Sequence, residues 1–478
     1  MIEVELLELI EKVKAMKTEF QTVECKAANA GCPKRLYDMI SAFSNQDSGG
    51  VILFGIDENK GYEAVGVYDA QDLQKKVTEQ CKQMQPVVRP VFTAVRAGNG
   101  IVVSAEIPGI DVSERPCYYS GVGRIKGSFV RSGDSDEPMS DYEIYSYEAF
   151  RKKYQDDIRA NEKADISSID MKKLEAYVDV IKENNPKLAQ LPEKLVLQNL
   201  GMMIDGHPTL VCTLLFSIYP QMFFPQYTVN AMVVMGYEKG ETAVDGSRFI
   251  DNKRIEGTLP EMLEETMKFL GKNMKVRTIV DPVTGERADK TEYPVVALRE
   301  AVLNAIIHRD YSMHTEAMPI EVVMYKNRVE IRNPGGLYGR LTVDKLGKVQ
   351  PDTRNPVLAR AMETLGKTEN RYSGIPTMIL EMKKAGMRVP VFENLRSEFA
   401  VIFYNSLEKE KEEPENEERD LLVFCREPRT RAEIAEYLGL NTVVYAVQNY
   451  VKPLIDSGEL FMTIPEHPKS KNQRYYSK

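Results

Sequence analysis

The sequence predicts a multidomain α+β protein. Short β-rich runs and amphipathic helical runs are mixed within the same segments. A length of 478 residues leaves room for two to four domains. A long charged run without large apolar residues breaks the chain near its end, at residues 408–420, with eight acidic and three basic residues, net −5. Composition agrees with a soluble globular chain, 43% hydrophobic and 28% charged.

The first unit is expected over residues 1–145. MIEVELLELIEKVKAMK reads as an acidic amphipathic helix rather than a signal peptide. TEFQTVECK follows. On a strand, Glu24 and Lys26 share one face, with Val23 and Cys25 on the other. Glu19 is an odd offset away and joins them only if the chain turns near Gln21 or Thr22. A surface ion pair and a metal or phosphate site both fit these residues. LYDMISAFSNQ is a helix, striped by Leu36, Met39, Ile40 and Phe43. DSGG stops it, with Asn45, Gly49 and Gly50 shaping the turn into the buried strand VILFGID. GYEAVGV is a short strand, QDLQKKVTEQCKQM a helix, VFTAVRAGNGIVVSAEI a hairpin around Gly98 and Gly100, and GSFVRSG a last strand. Residues 82–131 carry seven basic and three acidic residues, net +4 in an acidic chain. Arg124, Lys126 and Arg131 are therefore the expected phosphate contacts.

A helical connector is expected over 146–193, and a larger unit over 194–407. Its beginning, to about residue 237, reads as short strands broken at Pro220 and Pro225. LPEMLEETMKFLGKN is a helix. In ALREAVLNAIIHRDYS, Leu298, Ala301, Val302 and Ala305 form a core stripe, and Glu300, Asn304 and His308 lie four apart on the opposite flank. An acid, an amide and an imidazole on one helical face suit a nucleotide site. The amide oxygen is a Mg²⁺ ligand, and the carboxylate can orient or deprotonate water. Arg309 and Asp310 fit either helix-end capping or phosphate contact. MPIEVVMYKNRVEIRNPGGL gives two strands and a turn, in which Gly335 and Gly336 are expected to leave backbone N–H groups uncovered. After the linker at 408–420, residues 421–478 read as a winged helix. TRAEIAEYLGLN is a helix stopped at Gly439, TVVYAVQNYVKPLIDSG a second, and FMTIP and NQRYYS are wing strands. Tyr445, Gln448, Asn449 and Lys452 on the second helix suit base reading or packing.

The net charge of −8 argues against coating nucleic acid through bulk charge. Six cysteines without a C-x-x-C pair suit reduced thiols, and no apolar run is long enough for a bilayer, so a cytoplasmic location is expected.

Two stretches resemble known families. E-A-x-x-N-A-x-x-H-R-D-Y-S and V-E-I-x-N-P-G-G-L, followed by RNPVLARAMETLG, YSGIPTMILEMKKAG and PVFENLRSEFAVIFY, resemble the Bergerat-type (GHKL) ATP-binding fold, an α/β sandwich. More specifically, these stretches look like the variant in bacterial regulators related to the C-terminal part of a helicase. The resemblance implies Glu300 as hydrolytic base, Asn304 as Mg²⁺ ligand, Asn333 where an aspartate usually reads the adenine amino group, and Gly374 against the phosphates. SGIP stands where a second glycine is usual. VECK, ISAFSNQDSGGVILFGID, AVGV and GSFVRSGDSDEPMS resemble the Schlafen AlbA-type domain, whose bacterial members are described as DNA-binding. In its RNA-cleaving members, the matching positions are Glu19, Glu24, Lys26 and Asp57, with three carboxylates holding Mg²⁺ or Mn²⁺.

The resulting expectation is an ATP·Mg²⁺-binding, nucleic-acid-binding regulator of transcription, with ATPase activity left open. A metal-dependent RNA endonuclease gated by nucleotide and a scaffold with a degenerate ATP site are the alternatives. Homo-oligomerisation is left open, and no membrane partner is expected.

Overall fold

The fold is given by a computed structural model. It describes the chain except residues 99, 243–244, 281–286, 367–372, 396, 406–420, 423, 438–446, 457–458, 465–472 and 478. The side chains at 279–280, 287–288, 435–436, 448–449, 453 and 456 also lie outside the description. The chain forms two compact units, Met1–Tyr404 and Asn405–Lys478.

The first unit opens with helix α1 (Glu3–Met16), closed by Lys17 in left-handed backbone whose N–H bonds the Val13 carbonyl. Then come β1 (Val23–Lys26), α2 (Tyr37–Ser44), β2 (Gly50–Phe54), α3 (Ala70–Cys81), β3 (Val91–Ala97) and β4 (Gly100–Ile107). The strands form one sheet in the order β1-β2-β4-β3, with β1 parallel to β2 and the other pairs antiparallel. Strand alternation divides the core in two. Val23, Cys25, Leu53 and Val102 pack under Leu6, Ile10 and Val13 of α1. Ile52, Phe54, Val103 and Ala105 pack under Phe43 of α2 and Leu73 and Val77 of α3. A side chain at Gly50 would run into the Phe43 ring, so this position needs glycine for space. Asn45 ties the next segment down: its amide donates to the carbonyls of Cys117 (2.9 Å) and Phe129 (3.0 Å) and accepts from Cys117 N (2.7 Å).

That segment holds the short helix α4 (Gly123–Gly127) and a hairpin of β5 (Phe129–Ser132) with β6 (Ser135–Pro138). Arg124 and Lys126 thus sit on a short helix. GYEAVGV contributes only Glu63–Ala64, paired with Ile56–Asp57, because Gly66 has left-handed backbone and turns the chain away. Helix α5 (Asp141–Lys152) follows, with Ser140 and Glu143 forming a capping box.

Beyond it lie α6 (Met171–Asn184), α7 (Glu193–Asn199) and α8 (Leu210–Phe216). The short strands expected here are replaced mostly by helices, with strand pairing limited to Met203–Ile204 with His207–Pro208 before residue 229. LVCTLLF is apolar except for Thr213 and buried on every side, so its pattern fits a core helix as well as a strand. The Thr209 hydroxyl decides by accepting from Cys212 N, capping the helix.

The remaining elements are β7 (Val229–Val234), β8 (Phe249–Ile255), α9 (Leu259–Asn273), β9 (Val276–Val280), β10 (Arg287–Thr291), α10 (Val295–His308), β11 (Ile320–Met324), β12 (Arg328–Pro334), α11 (Pro356–Thr364), α12 (Gly374–Lys384), β13 (Val391–Asn394) and β14 (Glu398–Tyr404). A six-stranded sheet runs β8-β7-β11-β12-β14-β13, with only β7 and β11 parallel among its pairs. Val322, Val329, Ile331, Val401 and Phe403 pack against Leu298 and Val302 of α10 and Met378 and Met382 of α12. The same core takes in Leu174, Tyr177, Val178 and Ile181 of α6, so the helical connector shares it. The protein is mixed α+β.

In the second unit, Arg429–Thr430, Leu460–Met462 and Arg474–Ser477 form a three-stranded sheet beside the helices Arg431–Tyr437 and Lys452–Asp456. Leu421, Cys425, Ile434, Val451, Leu454, Leu460 and Tyr475 fill its core. The last two strands fall where wing strands are expected. The acidic run at 408–420, Gly439 and Tyr445 lie outside the described residues. Among the described residues, no helix is long and apolar enough to cross a membrane.

Candidate functional site

A cavity of about 650 Å³ opens between α10, the end of β12 and the start of α12. Four-residue spacing on α10 carries Glu300, Asn304 and His308 along one wall. Leu298 and Val302 anchor the helix's other face in the core. Asn333, Gly335, Gly336 and Gly374 line the remaining walls, so every residue expected at the nucleotide site borders one cavity.

Gly374 opens α12 directly beside the helix pair. A Cβ there would lie 3.0 Å from both Asn304 Nδ2 and Glu300 Oε2, so a side chain at this position would crowd the acid and the amide. The N-terminal end of α12, an eleven-residue helix, thus faces the acid and amide, in a position favourable to an anion. Asn333 is 5% exposed, and its Oδ1 has no hydrogen-bond partner. A buried carbonyl oxygen without a donor is costly in a finished protein, and Asn333 is one of the residues that line the cavity. Its chemistry suits an amino group.

Gly335 acts differently from expectation. Gly335 N–H donates to the Ser397 carbonyl at 2.8 Å and is not free for a ligand. Its backbone is left-handed (φ 96°), and a Cβ would press to 2.6 Å from Asp310 Cβ, so glycine serves close packing here.

The three residues ending α10 divide their roles. His308 is exposed and opens onto the cavity. Arg309 is structural: its guanidinium donates to the carbonyls of Asp310, Thr315 and Met318 and stacks over Tyr227 at 4.2 Å. Asp310 is fully buried, receiving Arg354 Nη1 at 2.5 Å and the Tyr142 hydroxyl at 2.7 Å. Burial raises its pKa, but Arg354 and the donated hydrogen bonds outweigh this and hold it below the usual carboxylate range.

Arg354 lines the cavity and was not expected there. Its one sequence signal is its place ahead of Asn355-Pro356, which starts α11. The Asn355 amide donates to the Ile307 and Arg309 carbonyls at 2.8 and 2.7 Å, satisfying the end of α10 and seating Arg354 beside it.

In the N-terminal domain, the chain turns between Phe20 and Val23, and Glu19 does face inward. Its Oε1 accepts from Cys25 N at 2.7 Å. Burial, then the Glu24 charge against the relief of that bond, leaves its pKa raised to about 7. Among the described residues, no group of three His, Cys, Asp or Glu side chains stands close enough together to hold a metal ion. Asp57 caps the following turn by accepting from Asn59 N at 3.1 Å. Positive charge comes instead from Arg131, 2.8 Å from Glu24, 3.0 Å from Asp136 and 4.0 Å from Glu19, with its cation over Phe43. Lys26 pairs with Glu24 at 2.5 Å. Arg131 is thereby removed from the phosphate contacts: its side chain is 1% exposed and committed to carboxylates.

Lys126 is exposed, and Arg124 is half-buried, 3.4 Å from Glu148 of α5. In the second unit, Lys452 is exposed, while the side chains of Gln448 and Asn449 lie outside the described residues.

Comparison with known proteins adds three family matches. Residues 19–140 match the model described as Schlafen, AlbA_2. Residues 317–403 match "Putative ATP-dependent DNA helicase recG C-terminal", a HATPase-type domain. Residues 419–476 match the C-terminal domain of Filamentation induced by cAMP protein Fic-like. No curated protein matches the chain. Among solved structures, the DIP2311 protein from Corynebacterium diphtheriae is 18% identical over 99% of this chain and 96% of that one, with a TM-score of 0.40. The N-terminal domain of a RecG-related protein from Nitrosomonas europaea is 26% identical over 28% of this chain and 92% of that one, with a TM-score of 0.23.

Proposed function

We propose that the chain is an ATP- and nucleic-acid-binding regulator of transcription, with ATP and Mg²⁺ held in the α10–α12 cavity. The observation that carries this is that Glu300, Asn304, Asn333 and Gly374 line one cavity, with Asn333 Oδ1 buried and unpaired. The exocyclic amino group of adenine supplies the donor that Asn333 lacks. The amide oxygen of Asn304 is the hard ligand for Mg²⁺, which neutralises phosphate charge when bound. The α12 N-terminus takes the phosphates against Gly374. Glu300 accepts a proton from water in any hydrolysis. The domains implied are 1–145 for nucleic acid, 194–407 for nucleotide and 421–478 as a winged helix. The match of 317–403 to a HATPase-type model and of 19–140 to the AlbA_2 model supports the reading.

Calorimetry with ATP and Mg²⁺ tests it. Wild type binds, Asn304→Ala loses Mg²⁺-dependent binding, and Glu300→Ala binds without turnover. A wild-type protein that binds no adenine nucleotide would leave the scaffold alternative. Duplex DNA binding should weaken with salt and with Arg124→Glu plus Lys126→Glu, because phosphate contacts release counterions. The inward-facing Glu19 beside Glu24 is the observation on the side of the endonuclease alternative.

A further inference from the structure

Helix α5 touches both proposed sites. On one side, Tyr142 Oη donates to Asp310 Oδ2, the atom that also holds Arg354 in the cavity wall. Arg354 lies over the Tyr338 ring at 4.9 Å and donates to the Gly336 carbonyl at 3.2 Å. Tyr338, also in the wall, meets the Phe150 ring of α5 edge-on at 5.4 Å. Arg340 of the same wall segment covers Phe150 at 5.4 Å and pairs with Asp111 at 3.3 Å, and Lys345 pairs with Asp47 at 3.4 Å. On the other side, Glu148 Oε2 sits 3.4 Å from Arg124 Nη2. A carboxylate there occupies a cation that the nucleic-acid reading assigns to phosphate.

We propose that α5 reports nucleotide occupancy to the nucleic-acid surface, with Glu148 standing in for a nucleic-acid phosphate on Arg124. The inference rests on the nucleotide reading above. A nucleotide in the cavity fixes the wall of residues 337–354 through its contacts. The wall fixes α5 through Tyr338–Phe150 and Arg354–Asp310–Tyr142. A fixed α5 keeps Glu148 on Arg124, so nucleotide weakens nucleic-acid binding. Linkage is reciprocal, and DNA must then weaken nucleotide binding by the same factor. Tyr142, Glu148 and Phe150 are positioning residues that touch neither ligand.

Fluorescence anisotropy of a labelled DNA duplex with the full chain, with and without a non-hydrolysable ATP analogue and Mg²⁺, tests this. Wild type should lose about fivefold or more in DNA affinity when nucleotide is added. Glu148→Gln should bind DNA more tightly without nucleotide and show no nucleotide effect. Tyr142→Phe and Phe150→Ala should still bind nucleotide by calorimetry and lose most of the coupling; thermal melting confirms that they are folded. If wild type binds both ligands with no mutual effect, or with mutual strengthening, the coupling is overturned and the nucleotide reading stands. If Glu148→Gln retains the wild-type nucleotide effect, Glu148 is not the reporter and the proposal fails. If calorimetry detects no nucleotide binding to wild type, both readings fall together.

Discussion

Replacing Asn333 with leucine should move ligand affinity and unliganded stability in opposite directions. In the free protein, Asn333 Oδ1 is buried without a donor. Such an acceptor costs about 1–3 kcal/mol of desolvation, which an apolar side chain of similar volume does not incur. Asn333→Leu should therefore raise the melting temperature of the unliganded protein, by about 2–4 °C for each kcal/mol recovered in a domain of this size. With ATP present the balance reverses. The variant forfeits one neutral hydrogen bond, net about 1 kcal/mol, or roughly a fivefold rise in Kd. GTP presents a carbonyl where ATP presents an amino group, so its affinity should change little, and discrimination between the two should shrink. Calorimetry with both nucleotides, beside thermal melting without ligand, reads all three quantities. An Asn333→Leu protein that melts lower and keeps wild-type preference for ATP would refute the assignment of that oxygen to adenine.

Two further outcomes follow from buried charge. Arg131→Met should destabilise by about 3–5 kcal/mol in urea denaturation, because it takes a buried cation from Asp136 and leaves Glu24 with Lys26 alone. A loss of DNA affinity at unchanged stability would instead make Arg131 a phosphate contact. Asp157 caps α11 by accepting from Val357 N and Leu358 N, and burial pushes its pKa up to about 6. An unfolded aspartate titrates near about 3.9, so between about pH 4 and 6 the unfolded chain releases the proton first and stability falls as pH rises. Asp157→Asn keeps the acceptor and removes the charge. It should melt above wild type at pH 7.5 and lose that advantage near pH 4; an equal difference at both pH values would contradict the assignment.

What the sequence revealed follows the range of each interaction. Helix α10 was legible because its two faces are written at periods of three and four: Leu298 and Val302 inward, Glu300, Asn304 and His308 toward the cavity. Val23 and Cys25 against Glu24 and Lys26 were legible from strand alternation alone. LVCTLLF was not, because a segment buried on every side carries no period that separates helix from strand. The role of Arg131 was hidden because its partners Glu24 and Phe43 come from elements about a hundred residues upstream, and a lone arginine on a strand looks the same paired or free. The Tyr142–Asp310 bond joins residues 168 apart, and no local pattern encodes it. Glycine was ambiguous in another way. Gly374 lies close against the Asn304 and Glu300 side chains, whereas Gly335 uses its left-handed backbone to pack on Asp310.

The most direct test of the central claim is a structure of the full chain determined with ATP and Mg²⁺ at saturation. The account predicts the adenine amino group within hydrogen-bond reach of Asn333 Oδ1, the metal on Asn304, and the phosphates at the start of α12 beside Gly374. An empty cavity under those conditions, or a nucleotide bound with its phosphates at Asn333, would contradict it.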